Sequence, residues 1–242
     1  MLTVEWFQKG HVAIVSGGSR GLGKALAREL LEKGLVVIID GRDAGDLGRA
    51  RRELAQAGEV VAIAGDIADP THAHALIAAA DRRGRLDLLV NNASTLGKAP
   101  LPRIDQLDRA TFDKLFAVNV FAPIHLAQHA LRLMDRSELG TIVNVTSDAG
   151  VQAYETWGGY GATKAALEHV SRVLAVELAG TSTRVLVFDP GDMNTAMHRE
   201  AIPDADPSEL RDPAESARAL LRAVAEMKSG FERVRAKELA PA

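Results

Sequence analysis

The sequence predicts a single-domain α/β fold: a doubly wound parallel sheet with helices on both faces. Three observations carry that expectation. Short β-branched runs alternate with longer stretches of helical period. Most runs are apolar at consecutive rather than alternate positions, the pattern of strands covered on both sides. No linker, repeat or low-complexity tract divides the 242 residues. Strands that recur with a helix between them need crossover connections, so they run parallel.

In chain order the runs are His11–Ser16, Leu35–Asp40, Val60–Ala64, Leu86–Val90, Thr141–Thr146 and Arg184–Phe188. Between the first two, Leu22, Leu26, Leu30 and Leu31 form one apolar stripe, while Lys24, Arg28 and Glu32 point away. Two helices look long, about Asp108–Asp135 and about Trp157–Ala179. The stretch Asp192–Asp212 holds Pro203, Pro207 and several acids but little period. It reads as a mobile connection with one short helix, a substrate loop at about 192–212.

Composition narrows the function classes. An apolar fraction of 47% and a charged fraction of 25% are those of an ordinary globule. A net charge of −3 gives no electrostatic reason to expect nucleic acid. No apolar run approaches the roughly 20 residues that span a bilayer, so no membrane is expected. Without cysteine there is no disulfide framework, thiolate nucleophile or sulfur-based zinc site, which fits a cytoplasmic location. Met1–Gly10 lacks a basic segment followed by an apolar one and does not read as a secretory leader.

The first run leads directly into Gly17-Gly18-Ser19-Arg20-Gly21-Leu22-Gly23 and then a helix. Glycines there permit a tight turn and let the backbone approach a diphosphate, and the helix start offers free N–H groups to an anion. A ligand-free turn is the bland alternative. A sharper one is a P-loop, since Gly18 to Lys24 fits G-x-x-x-x-G-K, with Asp40 as the second acid. Its next residue should carry the hydroxyl that holds Mg²⁺, and here it is Ala25. Dinucleotide binding is favoured.

Tyr160 and Lys164 stand at i and i+4, on one helical face. An ammonium beside a phenol favours the phenolate, so Tyr160 is expected to titrate toward neutrality and act as an acid/base. Alone, such a pair is usually a surface accident. Ser147 ends the fifth run at the carboxyl edge of the sheet, where ligands of open α/β folds bind. Asn119 is an amide within an apolar helical stretch, which is also how a helix-kinking core residue looks. Asn91-Asn92-Ala93-Ser94 and Pro190-Gly191 follow strands that bound the same crevice.

Together these motifs resemble the short-chain dehydrogenase/reductase family in its layout of roughly 250 residues, over essentially the whole chain. The pattern T-G-x-x-x-G-x-G falls on Ser16 to Gly23, N-N-A-G on Asn91 to Ser94, and P-G-x-x-x-T on Pro190 to Thr195. The catalytic set falls on Asn119, Ser147, Tyr160 and Lys164. Ser16 for Thr is mild; Ser94 for Gly adds a side chain where the backbone passes the cofactor.

The resemblance implies a Rossmann-type sheet of about seven strands and hydride transfer between a nicotinamide and a carbonyl or alcohol carbon. Tyr160 would protonate the carbonyl oxygen and Ser147 would hydrogen-bond it. Lys164 would lower the Tyr160 pKa and bind the nicotinamide ribose, and Asn119 would hold a water. Implied cofactor contacts are Gly17, Ser19, Arg20, Gly21, Leu22, Gly23, Arg42, Asp66, Ile67, Asn92, Ala93, Ser94, Tyr160, Lys164, Pro190, Gly191, Met193 and Thr195. The NAD-selecting acid would fall at Gly41, while Arg42 and Arg20 stand at NADP-selecting positions. NADP(H) is thus favoured over NAD(H), although Asp40 and Asp43 would repel a phosphate. The long helices resemble those of a four-helix interface, implying a homodimer or homotetramer. A dinucleotide-binding regulatory or scaffold protein without turnover is the alternative.

Other features read as non-functional. His125 and His129 stand at i and i+4, but Leu126 occupies the place of a zincin glutamate, so they are expected at a surface or interface, and no metal is expected. His72 and His74 are two apart and diverge on a helix. Arg49, Arg51 and Arg52 read as a solvated face. Tyr154, Glu155, Trp157, Met193, Met197 and Arg199 are expected to line a substrate pocket, and nothing identifies the small-molecule carbonyl or alcohol.

Overall fold

A strand that is apolar at successive positions must be covered on both faces, and the chain folds that way. The computed structural model describes residues 6–239. Met1–Glu5 of the leader expectation and positions 240–242 of the expected 1–242 domain lie outside them. The strands are β1 (Val12–Val15), β2 (Val36–Gly41), β3 (Val60–Ala64), β4 (Leu88–Asn91), β5 (Gly140–Val145), β6 (Thr183–Asp189) and β7 (Phe231–Arg235). They form one seven-stranded sheet in the order β3-β2-β1-β4-β5-β6-β7, and each pairing is parallel. Six match the expected runs to within two residues or so at either end. β7 does not announce itself, because FERVR holds three charged residues and only two apolar ones, with neither an apolar run nor a strict alternation.

The helices are α1 (Gly21–Glu32), α2 (Ala44–Leu54), α3 (Pro70–Asp81), α4 (Arg109–Phe116), α5 (Ala122–Met134), α6 (Gly158–Glu177), α7 (Ala196–Ala201) and α8 (Pro213–Glu226). Residues of α1, α2 and α8 form one core with Val15, Val37, Ile39 and Phe188. Residues of α3 and α5 form the other with Ile14, Ile38, Leu89 and Ile142. Adjacent sheet residues thus point to opposite cores. Burying each such large side chain contributes about 1.5–3 kcal/mol. Aspartates begin several helices: Asp43, Asp69, Asp108 and Asp212 each accept a backbone N–H of the first turn.

One expected element differs. The helix expected over 108–135 is interrupted between α4 and α5 by a π-helical turn, Ala117–Phe121. Pro123 has no N–H to close an α-turn on the Asn119 carbonyl, and the Ala122 N–H reaches back five residues to the Ala117 carbonyl. The expected substrate loop carries α7 and a 3₁₀ turn, Pro207–Glu209. Its base is tied rather than loose: Asn194 N donates to Arg211 O and Arg211 N to Asp192 O, both at 2.9 Å.

Candidate active site

Strand order reverses between β1 and β4, and the loops leaving the carboxyl ends of these strands open a crevice there. On the β1 side the glycine turn begins with Gly17 at φ 69°, a conformation that costs glycine little. Gly23 allows the closest approach: a Cβ on it would lie 2.3 Å from the Gly17 carbonyl oxygen. Ser16 locks the turn to β4, donating to Val90 O at 3.3 Å and accepting from Asn92 N and Ala93 N at 3.0 Å. Asn92 Nδ2 returns a bond to Ser16 O at 2.8 Å.

The resulting cleft has a volume of about 820 Å³ and runs from the glycine turn past Arg42 and Asp66 to Thr195. Of the expected cofactor contacts, Gly17, Ser19, Arg20, Gly21, Leu22, Arg42, Asp66, Ile67, Asn92, Ala93, Ser94, Met193 and Thr195 line it. Gly23 lies beneath the turn, and Tyr160, Lys164, Pro190 and Gly191 line the adjoining cavity. A tight glycine turn, in which Gly23 has no room for a Cβ, beside a helix start fits a dinucleotide diphosphate.

Asp40 is 2% exposed: its Oδ1 accepts from Gly17 N at 2.5 Å and its Oδ2 lies 3.0 Å from His72 Nε2. Asp43 caps α2 through Asp46 N at 2.7 Å. Arg20 and Arg42 are exposed, and among the described residues neither guanidinium has an ion-pair partner.

A second cavity of about 340 Å³ adjoins the first, lined by Ser147, Trp157, Tyr160, Lys164 and Asp189 among others. The phenol of Tyr160 is 8% exposed, with the Trp157 ring edge-on at 5.6 Å between centroids. Lys164 is 3% exposed; its Nζ donates to Val145 O at 2.9 Å and sits 5.3 Å from the Tyr160 ring centroid. Ser147 Oγ accepts from Ala149 N at 3.2 Å and donates to Asp148 Oδ1 at 3.1 Å.

Two expectations about these groups need correction. The Tyr160 phenol is not drawn toward neutrality. Burial pushes its pKa well above the ordinary phenol value, against an opposing hydrogen bond with Ser94, and Asp189 and Asp148 add to the rise. The same burial drops Lys164 to about 8. Desolvation dominates both groups, and Lys164 is directed at a main-chain carbonyl.

Asn119, in the π-helical turn, has its whole side chain engaged by protein. Its Oδ1 accepts from Ser94 Oγ at 3.1 Å and Thr95 N at 2.9 Å, and its Nδ2 donates to Thr95 O at 3.0 Å and Thr163 Oγ1 at 3.1 Å. That fills two donors and two acceptors and leaves the amide nothing for the expected water.

The family profile for short chain dehydrogenase matches residues 11–206. The chain belongs to the short-chain dehydrogenase/reductase family. It is an oxidoreductase of that family, whose fold binds NAD(P). It is 35% identical over 201 residues to the rhamnolipids biosynthesis 3-oxoacyl-[acyl-carrier-protein] reductase of Pseudomonas aeruginosa, covering 81% of this chain and 77% of that one. A Burkholderia cenocepacia short chain dehydrogenase in complex with NADP superposes with TM-score 0.83 at 28% identity, covering 95% and 97% of the two chains. A 7α-hydroxysteroid dehydrogenase complexed with NADH and 7-oxo glycochenodeoxycholic acid gives 0.84 at 26% identity, covering 95% and 94%.

Within this short-chain dehydrogenase, Trp157, Met193 and Met197 line the second cavity as expected. Tyr154 and Glu155 do not: Tyr154 OH donates to Asp148 Oδ2 at 2.8 Å and Glu155 pairs with Arg103 at 3.0 Å. Arg199 lines the larger cleft instead, donating to Asn194 Oδ1 at 2.7 Å. Arg211, Arg235 and Lys237 line the second cavity without a sequence signal, since β7 brings two of them there.

Proposed function

We propose that this chain is an NADP(H)-dependent carbonyl reductase or alcohol dehydrogenase. The supporting observation is that the two cavities adjoin. They share Leu22, Asn92, Ser94, Met193, Thr195 and Met197, so a group bound along the glycine turn reaches the space before Tyr160 and Ser147. A scaffold without turnover has no need of Asn119, Ser147, Tyr160 and Lys164 together. A phosphotransferase lacks the metal-holding hydroxyl at Ala25.

Bound in the cleft, a nicotinamide dinucleotide supplies the hydride. In the reducing direction Tyr160 gives its phenolic proton to the carbonyl oxygen as charge develops there, and its raised pKa keeps that proton available at pH 7. Ser147 turns from Asp148 to hydrogen-bond the same oxygen. Lys164 has three N–H donors, one held by Val145, which leaves two for ribose hydroxyls. Asn119 is a positioning residue: its amide ties Ser94 and Thr95 to α6. Its main-chain carbonyl, relieved of an α-helical donor by Pro123, would hold a water for proton resupply.

Exposed Arg20 and Arg42 support NADP(H), and Asp40 faces the glycine turn and His72 rather than open solvent. The lack of cysteine supports a cytoplasmic location. No helix among the described residues is long and apolar enough to cross a membrane.

Fluorescence titration of both reduced cofactors, then their oxidation with a panel of carbonyl compounds, tests the reading. NADPH is expected to bind at least about tenfold tighter, a difference of about 1.4 kcal/mol. Tyr160→Phe is expected to keep that affinity and lose about 100-fold or more in turnover. NADH binding tenfold tighter overturns the cofactor choice; undiminished turnover by Tyr160→Phe overturns the acid/base role.

A further inference from the structure

The packing of α3 on α5 brings together three histidines that lie far apart in the sequence and outside the crevice. His125 and His129 stand one turn apart on α5, and His74 comes from the outer side of α3. Small residues let the helices close: Ala73, Ala79 and Ala80 of α3 share a core with Ala127 and Ala130 of α5. His125 and His129 are therefore half-buried against a neighbouring helix, not simply surface groups, and only His74 is exposed. Ring centroids are 4.5 Å apart for His74 and His129, 4.5 Å for His125 and His129, and 5.5 Å for His74 and His125. Each histidine places a ring nitrogen within 4.8 Å of the other two.

Protein partners do not satisfy this cluster. His74 Nε2 and His129 Nε2 lie 3.2 Å apart, so one neutral ring donates to the other. The buried Nε2 of His125 has no hydrogen-bond partner among the described residues. The remaining four histidines are elsewhere: His72 on Asp40, His11 on the Trp6 carbonyl, His198 beside Asp192 and His169 exposed on α6.

We propose that His74, His125 and His129 form a binding site for a divalent zinc-class ion that pins α3 to α5. Three imidazoles without a carboxylate suit zinc, cobalt, nickel or copper, and not magnesium or calcium. Zinc–nitrogen bonds of about 2.0–2.1 Å in a tetrahedron set ligand nitrogens about 3.3 Å apart. The His74–His129 pair already has that spacing at 3.2 Å. Small ring rotations bring in His125, and water takes the fourth position.

The test uses untagged, chelator-stripped full-length protein, titrated with zinc against a chromophoric chelator and with cobalt by visible absorption. Expected are one zinc per chain, a four-coordinate cobalt spectrum, and a thermal midpoint that rises with zinc but not magnesium. His74→Gln and His129→Gln should each weaken zinc by more than the roughly 10–100-fold that loss of an outer-shell partner costs. His169→Gln and His198→Gln should leave it unchanged. His74 is exposed, so its variant is expected to fold, and circular dichroism checks that. No binding below about 1 mM zinc, an affinity worth only about 4 kcal/mol, overturns the proposal. So does full-affinity binding by the folded His74→Gln variant.

Discussion

At Tyr160 and Lys164, one feature of the surroundings moves two pKa values in opposite directions. Burial disfavours whichever form is charged, so the phenol rises and the ammonium falls to about 8. The consequence for stability has a definite sign. Between about pH 8 and the unfolded lysine value near 10.4, the unfolded chain binds the proton that folded Lys164 has released. Lys164 therefore costs stability below pH 8, and that cost disappears as pH rises. Urea unfolding at pH 7.5 and 9.5 should show this group adding about 2 kcal/mol at the higher pH. The gain should be absent in Lys164→Met. Equal pH slopes for the two proteins would mean that Lys164 is not desolvated. Above pH 10 the trend reverses, because unfolded tyrosine ionises and buried Tyr160 does not.

Among elements, the π-helical turn at Ala117–Phe121 does most to shape the site. It lets Asn119 reach the loop after β4 and α6 at once. Asn119→Ala leaves Thr95 N, Thr95 O and the Thr163 hydroxyl without that partner in a buried setting. Removing such a group costs about 1–3 kcal/mol for each polar atom left unsatisfied. A loss of about 2–4 kcal/mol in unfolding free energy is expected, read from the urea midpoint; an unshifted midpoint would show the clamp contributes nothing. The apolar runs at β1 to β6 and the leucine stripe of α1 were legible because burial on two faces, or on one, leaves a period. β7 and the helix break were not. An edge strand stabilised by Arg233 on Glu168 at 3.0 Å carries no apolar run, and Pro123 looks like an ordinary first-turn proline until the carbonyl it abandons is seen.

For the whole molecule, exposed apolar side chains predict an assembly. Phe121 is 62% exposed, and Val173 and Val176 on α6 are 43% and 76% exposed. Such residues on α6 and the turn before α5 suit a helical interface between copies. Light scattering after gel filtration should give two or four times the chain mass, and Val176→Asp with Phe121→Asp should reduce it to one. A wild-type monomer at micromolar concentration would remove the interface. Oligomer formation and the α3–α5 histidine cluster are separate claims, since the first uses α6 and the second does not.

The dinucleotide crevice and the order of its motifs were readable because glycine turns, strand ends and an i, i+4 pair are local: their spacing along the chain is their geometry. Charge state and partnership depend on what distant segments bring within a few ångströms. Tyr160 meets Asp189 across the sheet's end, Asp40 meets His72, and His74 meets His129 from 55 residues away. Solvent exclusion sets those interactions, and no window of sequence contains it.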